Sequence, residues 1–236
     1  MRLPLLLAIC RRFPRLSRPL CRLAFALLVG RRGVYWSRWY VGVQRRSVYL
    51  VPPDFDDLQW MFELFHAPEI SEMFGYHDLG APVMLLRYRA GTLVVAIIKS
   101  VETRKRIGFL IMYPPAGFSF WEFGYAIPDS VDRNAFNALN TTDAVGHYMF
   151  EILRVPACGW RTREDNRAAD AVVRRLGYVA GETIQEEGHR YIIYSLDREG
   201  WQRRLKKLSA NQTREGGDVP LFRVLKHPYL PVPASE

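Results

Sequence analysis

Three apolar runs follow one another at short intervals in the middle of the chain: TLVVAII at 92–98, IGFLIMY at 107–113 and FSFWEFGYAI at 118–127. Each is rich in β-branched or aromatic residues and has strand length. The charged turn SVETRKR separates the first two runs, and PPAG, from Pro114 to Gly117, separates the second from the third. Connections this tight return a strand beside its predecessor in the opposite direction. An antiparallel meander is therefore expected at the centre of the fold.

The flanking segments carry other periods. SVYLV, from Ser47, alternates as a strand and is ended by Pro52 and Pro53. Asp54 can cap a helix in which Phe55, Leu58, Met61, Phe62 and Phe65 form one apolar stripe. Residues 67–91 read as irregular or weakly helical. After Pro128 the period becomes helical, with Leu139, Thr142, Gly146, Met149 and Leu153 on one face. ACGWRT then reads as a short buried strand. Asn166 opens a compact helix, RAADAVVRRL, that Gly177 ends as a C-cap residue. GHRYIIYSL supplies the last strand, DREGWQRRLKKL a short basic helix, and the chain beyond Ser209 a polar, Pro-containing tail. This order predicts an α+β fold, a mostly antiparallel sheet with one parallel junction and helices flanking it.

The net charge of +9 on 236 residues is unevenly placed. Residues 1–53 contain eleven arginines and no acidic residue, whereas the remainder holds 22 basic and 24 acidic side chains. A near-neutral body speaks against nucleic acid as a partner, since a nucleic-acid-binding fold carries its basic surface as part of itself. Three domains of sequence are expected: a basic extension over 1–46, a folded domain over 47–201, and a basic helix with tail over 202–236. The extension has three readings: an Arg-rich targeting segment, a weak membrane-surface contact, or an unstructured appendage. The three cysteines, Cys10, Cys21 and Cys158, are too scattered for a disulfide framework. No histidine has ligand spacing to another histidine or cysteine, so no metal is expected. A cytoplasmic setting is the simplest expectation, with organelle targeting by the extension as the alternative.

Within 47–201 three segments resemble one family. NRAADAVVRRLGY (166–178) is similar to the Asn-x-Ala-Ser…Lys-Leu-Gly-Phe segment of the GNAT acyltransferases, with Asn166, Ala168, Val172, Arg175, Leu176, Gly177 and Tyr178 in register. EFGYAI (122–127) resembles that family's Glu-Ile-Gly-Tyr-x-Leu strand, and YSLDREGW its Tyr-Ser-Leu-x-x-x-x-Trp ending. The nearest subgroup acetylates ribosomal-protein N-termini and other amines. The resemblance implies the GNAT fold, acetyl-CoA as co-substrate and an amine acceptor, and it assigns roles by position. Glu122 matches the strand carboxylate that acts as general base. Flanked by Trp121 and Phe123, it is expected to have a raised pKa. Ala126 and Ile127 match the main-chain groups that meet the acyl carbonyl and pantetheine. Asn166 matches a position contacting cofactor or substrate. Phe55 to Gly80 and the last hairpin match the segments that choose the acceptor.

The phosphate loop departs from the family's pattern, Gln or Arg-x-x-Gly-x-Gly or Ala. The register gives Arg133, Asn134, Ala135, Phe136, Asn137 and Ala138, so phenylalanine stands where the first glycine belongs. Glycine leaves room for close phosphate approach that Phe136 removes. Asp129 and Asp132 precede the loop and oppose a polyphosphate. The leaving thiolate is often protonated by a tyrosine or serine on the Asn166 helix. Ala169 and Val173 stand there instead, which leaves Tyr178 or water. Two functions follow: an acetyl-CoA-dependent N-acetyltransferase, or a non-catalytic relative used for binding or assembly.

Overall fold

The computed structural model describes residues 3–24, 41–74, 80–90, 92–115, 120–186, 188–214 and 220–225. The chain divides into two compact units, residues 1–39 with 52–97 and residues 40–51 with 98–236.

The first unit is built on helices. α1 (Leu3–Arg12) and α2 (Ser17–Ala24), joined by a 3-10 turn, precede α3 (Phe55–Leu64), α4 (Pro68–Met73) and α5 (Gly80–Arg89). α3 begins as its sequence requires. The Asp57 N–H donates to Asp54 Oδ1 at 2.7 Å and the Asp54 N–H donates to Asp57 Oδ2 at 3.4 Å. This capping box satisfies donors that the first turn leaves open. Leu58, Met61, Phe62 and Phe65 are buried, as their spacing implies. α4 and α5 lie in the stretch over 67–91 that reads as irregular or weakly helical, and of the two readings helix is the one observed there. Gly80 and Pro82 hide the helical period there, yet both suit a helix start. A side chain at Gly80 would collide with Ser71 and with the Phe65 carbonyl. α5 touches α1, α2, α3 and α4, and buries Ala81, Met84, Leu85 and Tyr88. Residues 3–24, expected as part of an extension, are thus helical, with Cys10 and Ala24 buried.

The second unit holds the strands β1 (Gly42–Arg45), β2 (Val48–Val51), the end of β3 (Val94–Ser100), β4 (Arg106–Tyr113), β5 (Trp121–Ala126), β6 (Ala157–Arg163), β7 (Val179–Glu186), β8 (His189–Asp197) and β9 (Arg223–Leu225). Their order is β7-β8-β6-β5-β4-β3-β2-β1-β9. β5 and β6 pair in parallel, while β4/β5, β6/β8, β7/β8, β1/β2 and β1/β9 are antiparallel. The mixed, mostly antiparallel sheet expected from the order of elements is the one observed. β4 and β5 meet with Tyr113 opposite Glu122. Residues 116–119 of the intervening PPAG turn and its flank lie outside the described residues, as do 25–40 and the tail from 226. The expected boundary at 46/47 falls inside the turn between β1 and β2.

α6 (Ala135–His147) ends in a π-helical turn (Tyr148–Ile152); α7 (Arg167–Leu176) and α8 (Arg198–Arg214) complete the unit. α7 is bounded as predicted: the Ala169 N–H donates to Asn166 Oδ1 at 3.1 Å, and Gly177 closes the helix at φ 92°. That left-handed conformation suits glycine and few other residues. α8 is longer than the short basic helix expected. Trp201 Nε1 donates to Glu151 Oε1 at 2.8 Å, and its ring lies against Gly146. Arg204 grips the buried Asp143 with two bonds of 2.9 Å, while Arg45 Nε lies 4.0 Å from the same carboxylate.

Candidate functional site

The parallel register between β5 and β6 consists of two pairs, Trp121↔Cys158 and Glu122↔Gly159. Beyond them each strand follows its other neighbour. Phe123 to Ala126 stay paired with β4, and Trp160 to Arg163 stay paired with β8. The strands therefore part after Glu122. Main-chain groups of Phe123–Ala126 that point away from β4 meet no β6 partner in this register. Buried backbone donors are nearly always paired, so such a gap reads as a place for an extended ligand. Ala126 and Ile127, expected to serve through their main chain, end the β5 lip of this gap and have buried side chains.

α6 faces the same strand. Tyr125 O–H donates to the Ala138 carbonyl at 3.2 Å, which fixes the first turns of α6 beside β5. Burial pushes the Tyr125 phenol up to about 12, a Thr142 hydrogen bond pulling it slightly the other way. The start of α6 is capped internally: the Asn137 N–H donates to Asn134 Oδ1 at 2.9 Å. Asn137 itself is held, its amide donating to the Asp132 carbonyl at 2.9 Å and its Oδ1 accepting from Ser47 at 2.8 Å. Arg133 turns its guanidinium back on the chain, donating to the Ile127 carbonyl at 2.9 Å and to the Pro128 carbonyl. Ala135 and Phe136 form the exposed first turn, with Phe136 54% exposed. The loop residues Arg133 to Ala138 are thus brought to one lip of the gap, where the helix N-terminus favours an anion.

Glu122 lies at the point of divergence, with its side chain 16% exposed. It alternates with Phe123, whose ring lies 5.4 Å from Trp160 and 6.3 Å from Tyr178. The neighbour that matters is Arg161 on β6, whose Nε donates to Glu122 Oε1 at 3.0 Å and whose Nη1 bonds Glu186. Burial alone would weaken the Arg161 cation, but Glu122 and Glu186 more than offset it and its pKa lies above the ordinary value. Beside the apolar rings that flank it, Glu122 therefore has a charged partner that its own segment does not announce.

Tyr178 is placed in the core. Its hydroxyl lies 3.6 Å from Cys158 Sγ, and burial followed by the thiol raises its pKa well above the ordinary phenol. Such a group holds its proton at neutral pH, and the partner of its hydroxyl is Cys158 Sγ. Asn166, by contrast, is exposed and engaged as a helix cap. Sequence reasoning passed over Arg161 and Trp160. The available signal was a charged residue entering the apolar strand ACGW, since buried charges require partners. Trp160 spans the parting strands, its ring 5.4 Å from Phe123 and 5.2 Å from Tyr125.

No group of histidine, cysteine or carboxylate side chains suited to a metal occurs among the described residues. Residues 47–179, more than half of the chain, match the family model described as an acetyltransferase (GNAT) domain. No curated protein matches the sequence. Solved structures similar to the chain include a GCN5-related N-acetyltransferase from Brucella melitensis, with TM-score 0.57, 12% identity, and coverage of 74% of this chain and 86% of that one. Spermidine N-acetyltransferase from Vibrio cholerae, in complex with CoA and spermine, aligns with TM-score 0.56 and 12% identity over 67% and 99% of the two chains. Mycobacterium smegmatis RimJ, in complex with CoA-disulfide, aligns with TM-score 0.53 and 14% identity over 72% and 94%. At these identities the likeness concerns the fold.

Proposed function

The chain belongs to the acetyltransferase (GNAT) family, and from that premise we propose that it transfers an acetyl group from acetyl-CoA to a primary amine, on a protein N-terminus or a small amine. The observation that carries this reading is the parting of β5 from β6 after Glu122↔Gly159, beside the N-terminus of α6. The gap offers main-chain hydrogen bonds to a pantetheine arm, and Arg133 to Ala138 offer a helix start to its phosphates. A backbone donor near Ala126 and Ile127 would meet the negative charge that develops on the acyl oxygen; one such donor is worth about 3 kcal/mol. The new bond joins the amine nitrogen to the acyl carbon while the carbon–sulfur bond breaks. Glu122 takes the ammonium proton, directly or through water; the second nitrogen proton leaves to water as the amide forms, and the departing sulfur takes a proton from water. Tyr178 is not assigned that step, because its hydroxyl faces Cys158. Glu122, Glu186 and Arg161 together carry one excess negative charge, which suits a cationic acceptor.

One group of contacts favours the second reading, a family member with weak or lost CoA binding. Asn134 already takes the Asn137 N–H, Arg133 is turned to the Ile127 and Pro128 carbonyls, and Trp160 bridges the strands. A thermal-shift titration with acetyl-CoA separates the two. Saturation at a hundred times Kd adds about 2.7 kcal/mol, or roughly 5–10 °C in a domain of this size. No shift at millimolar acetyl-CoA would remove the transferase reading. Where binding occurs, Glu122→Ala should abolish most turnover and keep the shift; an unchanged rate would show that Glu122 is not the base.

A further inference from the structure

α1 and α2 bury one side and leave another uncovered. Cys10 and Ala24 face inward, both helices touch α5, and Arg18 bonds Glu63 at 2.9 Å. Leu5, Phe13, Leu16 and Leu23 remain between 49% and 55% exposed. Arg11, Arg12 and Arg15 are exposed among them, and the Arg12 guanidinium lies over the Phe13 ring at 6.0 Å. Scattered apolar side chains on a surface are ordinary. Four within residues 5–23, interspersed along the chain with exposed arginines in a 53-residue stretch without a single acidic residue, are not. No described helix is long and apolar enough to cross a membrane.

We propose that residues 3–24 form a docking face for an anionic phospholipid surface, with Leu5, Phe13, Leu16 and Leu23 entering the headgroup boundary and Arg11, Arg12 and Arg15 pairing with lipid phosphates. The charge pattern selects this occupant. A nucleic acid would use the arginines but gain little from four half-exposed apolar side chains. A neutral apolar groove would use the leucines and leave the guanidinium groups unpaired. An anionic interface takes both, and arginine stems bury along apolar surface while their heads stay wet. The helices lie on such a surface and do not span it. The docking does not depend on acetyl transfer.

Cosedimentation of the full chain with vesicles tests the proposal. Phosphatidylcholine containing roughly a third phosphatidylserine should capture the protein at low salt, and phosphatidylcholine alone should not. Each arginine near an anionic surface contributes roughly a factor of five, so Arg11→Gln/Arg12→Gln/Arg15→Gln should weaken partition roughly a hundredfold. Phe13→Ser/Leu16→Ser should weaken it roughly tenfold or more by removing apolar burial. These positions are exposed, so far-UV circular dichroism should match the wild type in each variant. Three results overturn the proposal. The first is no capture by anionic vesicles. The second is capture that the Phe13→Ser/Leu16→Ser variant leaves intact, which would mean simple attraction to any polyanion. The third is heparin binding as tight as vesicle binding, which would mean that the face reads charge alone.

Discussion

Asp143→Asn tests what holds α8 to the rest of its unit. The Asp143 side chain is 3% exposed, Arg45 5% and Arg204 15%. Arg204 meets the carboxylate through two bonds of 2.9 Å, and Arg45 Nε stands 4.0 Å away. Asparagine preserves the volume and can accept from one guanidinium, but it removes the negative charge that faces two cations. At an effective dielectric of 20, a pair of unit charges 4 Å apart gains about 4 kcal/mol before relaxation. Breaking a buried pair from one side costs about 3–5 kcal/mol in measured cases. We expect about 3 kcal/mol here, because Arg204 is partly wet and can turn to solvent. For a domain of this size that lowers Tm by roughly 6–12 °C. Differential scanning calorimetry at neutral pH checks it. A drop of less than two degrees would refute the idea that the carboxylate is what keeps the two guanidinium groups inside.

Gly146→Ala sets two effects against each other. Alanine in a helix gains about 1 kcal/mol over glycine, but the new Cβ would lie 2.6 Å from the Trp201 ring. That ring is held by the Glu151 bond and stacked on Phe150, so the clash should win by about 1–2 kcal/mol; a raised Tm would reverse this order. Cys158 should resist iodoacetamide at pH 8, because burial pushes its thiol up to about 12 against a slight pull from Tyr178. Its folded pKa exceeds the ordinary 9.0, so its contribution to stability is complete below pH 9 and is lost as pH rises toward 12. Rapid native labelling would contradict that placement. Phe136→Gly should tighten acetyl-CoA binding in a thermal-shift titration while lowering the unliganded Tm a few degrees, since glycine costs about 1 kcal/mol in a helix. Weaker binding instead would mean that the loop register from Arg133 to Ala138 is misassigned.

The elements with strong local signals were readable from the chain. The β-branched runs at 92–127, the Asp54 box, and Asn166 with Gly177 each carry their cause within a few residues. β1, β7 and β9 were not foreseen. β7 is a polar, exposed edge strand, VAGETIQE, whose pairing with β8 has no apolar alternation to announce it. α4 and α5 were obscured because Gly80 and Pro82 answer to tertiary contacts and helix starts rather than to a period. At the candidate site, the strand position of Glu122 could be read, but its environment could not. The ion pair with Arg161 joins residues 39 positions apart, and no local pattern encodes which long side chain will cross from one strand to the next.

The parting of β5 from β6 also has a mechanical side. Where two rungs of backbone pairing join the strands, the load between the halves of the sheet passes to side chains. The rivets are the Glu122–Arg161 ion pair and the Phe123–Trp160–Tyr125 ring cluster. A sheet seamed in this way can yield along one line while its interior stays rigid. Amide exchange should find that line first, at the β5 amides after Glu122 that point away from β4, rather than at the β4 or β8 ladders.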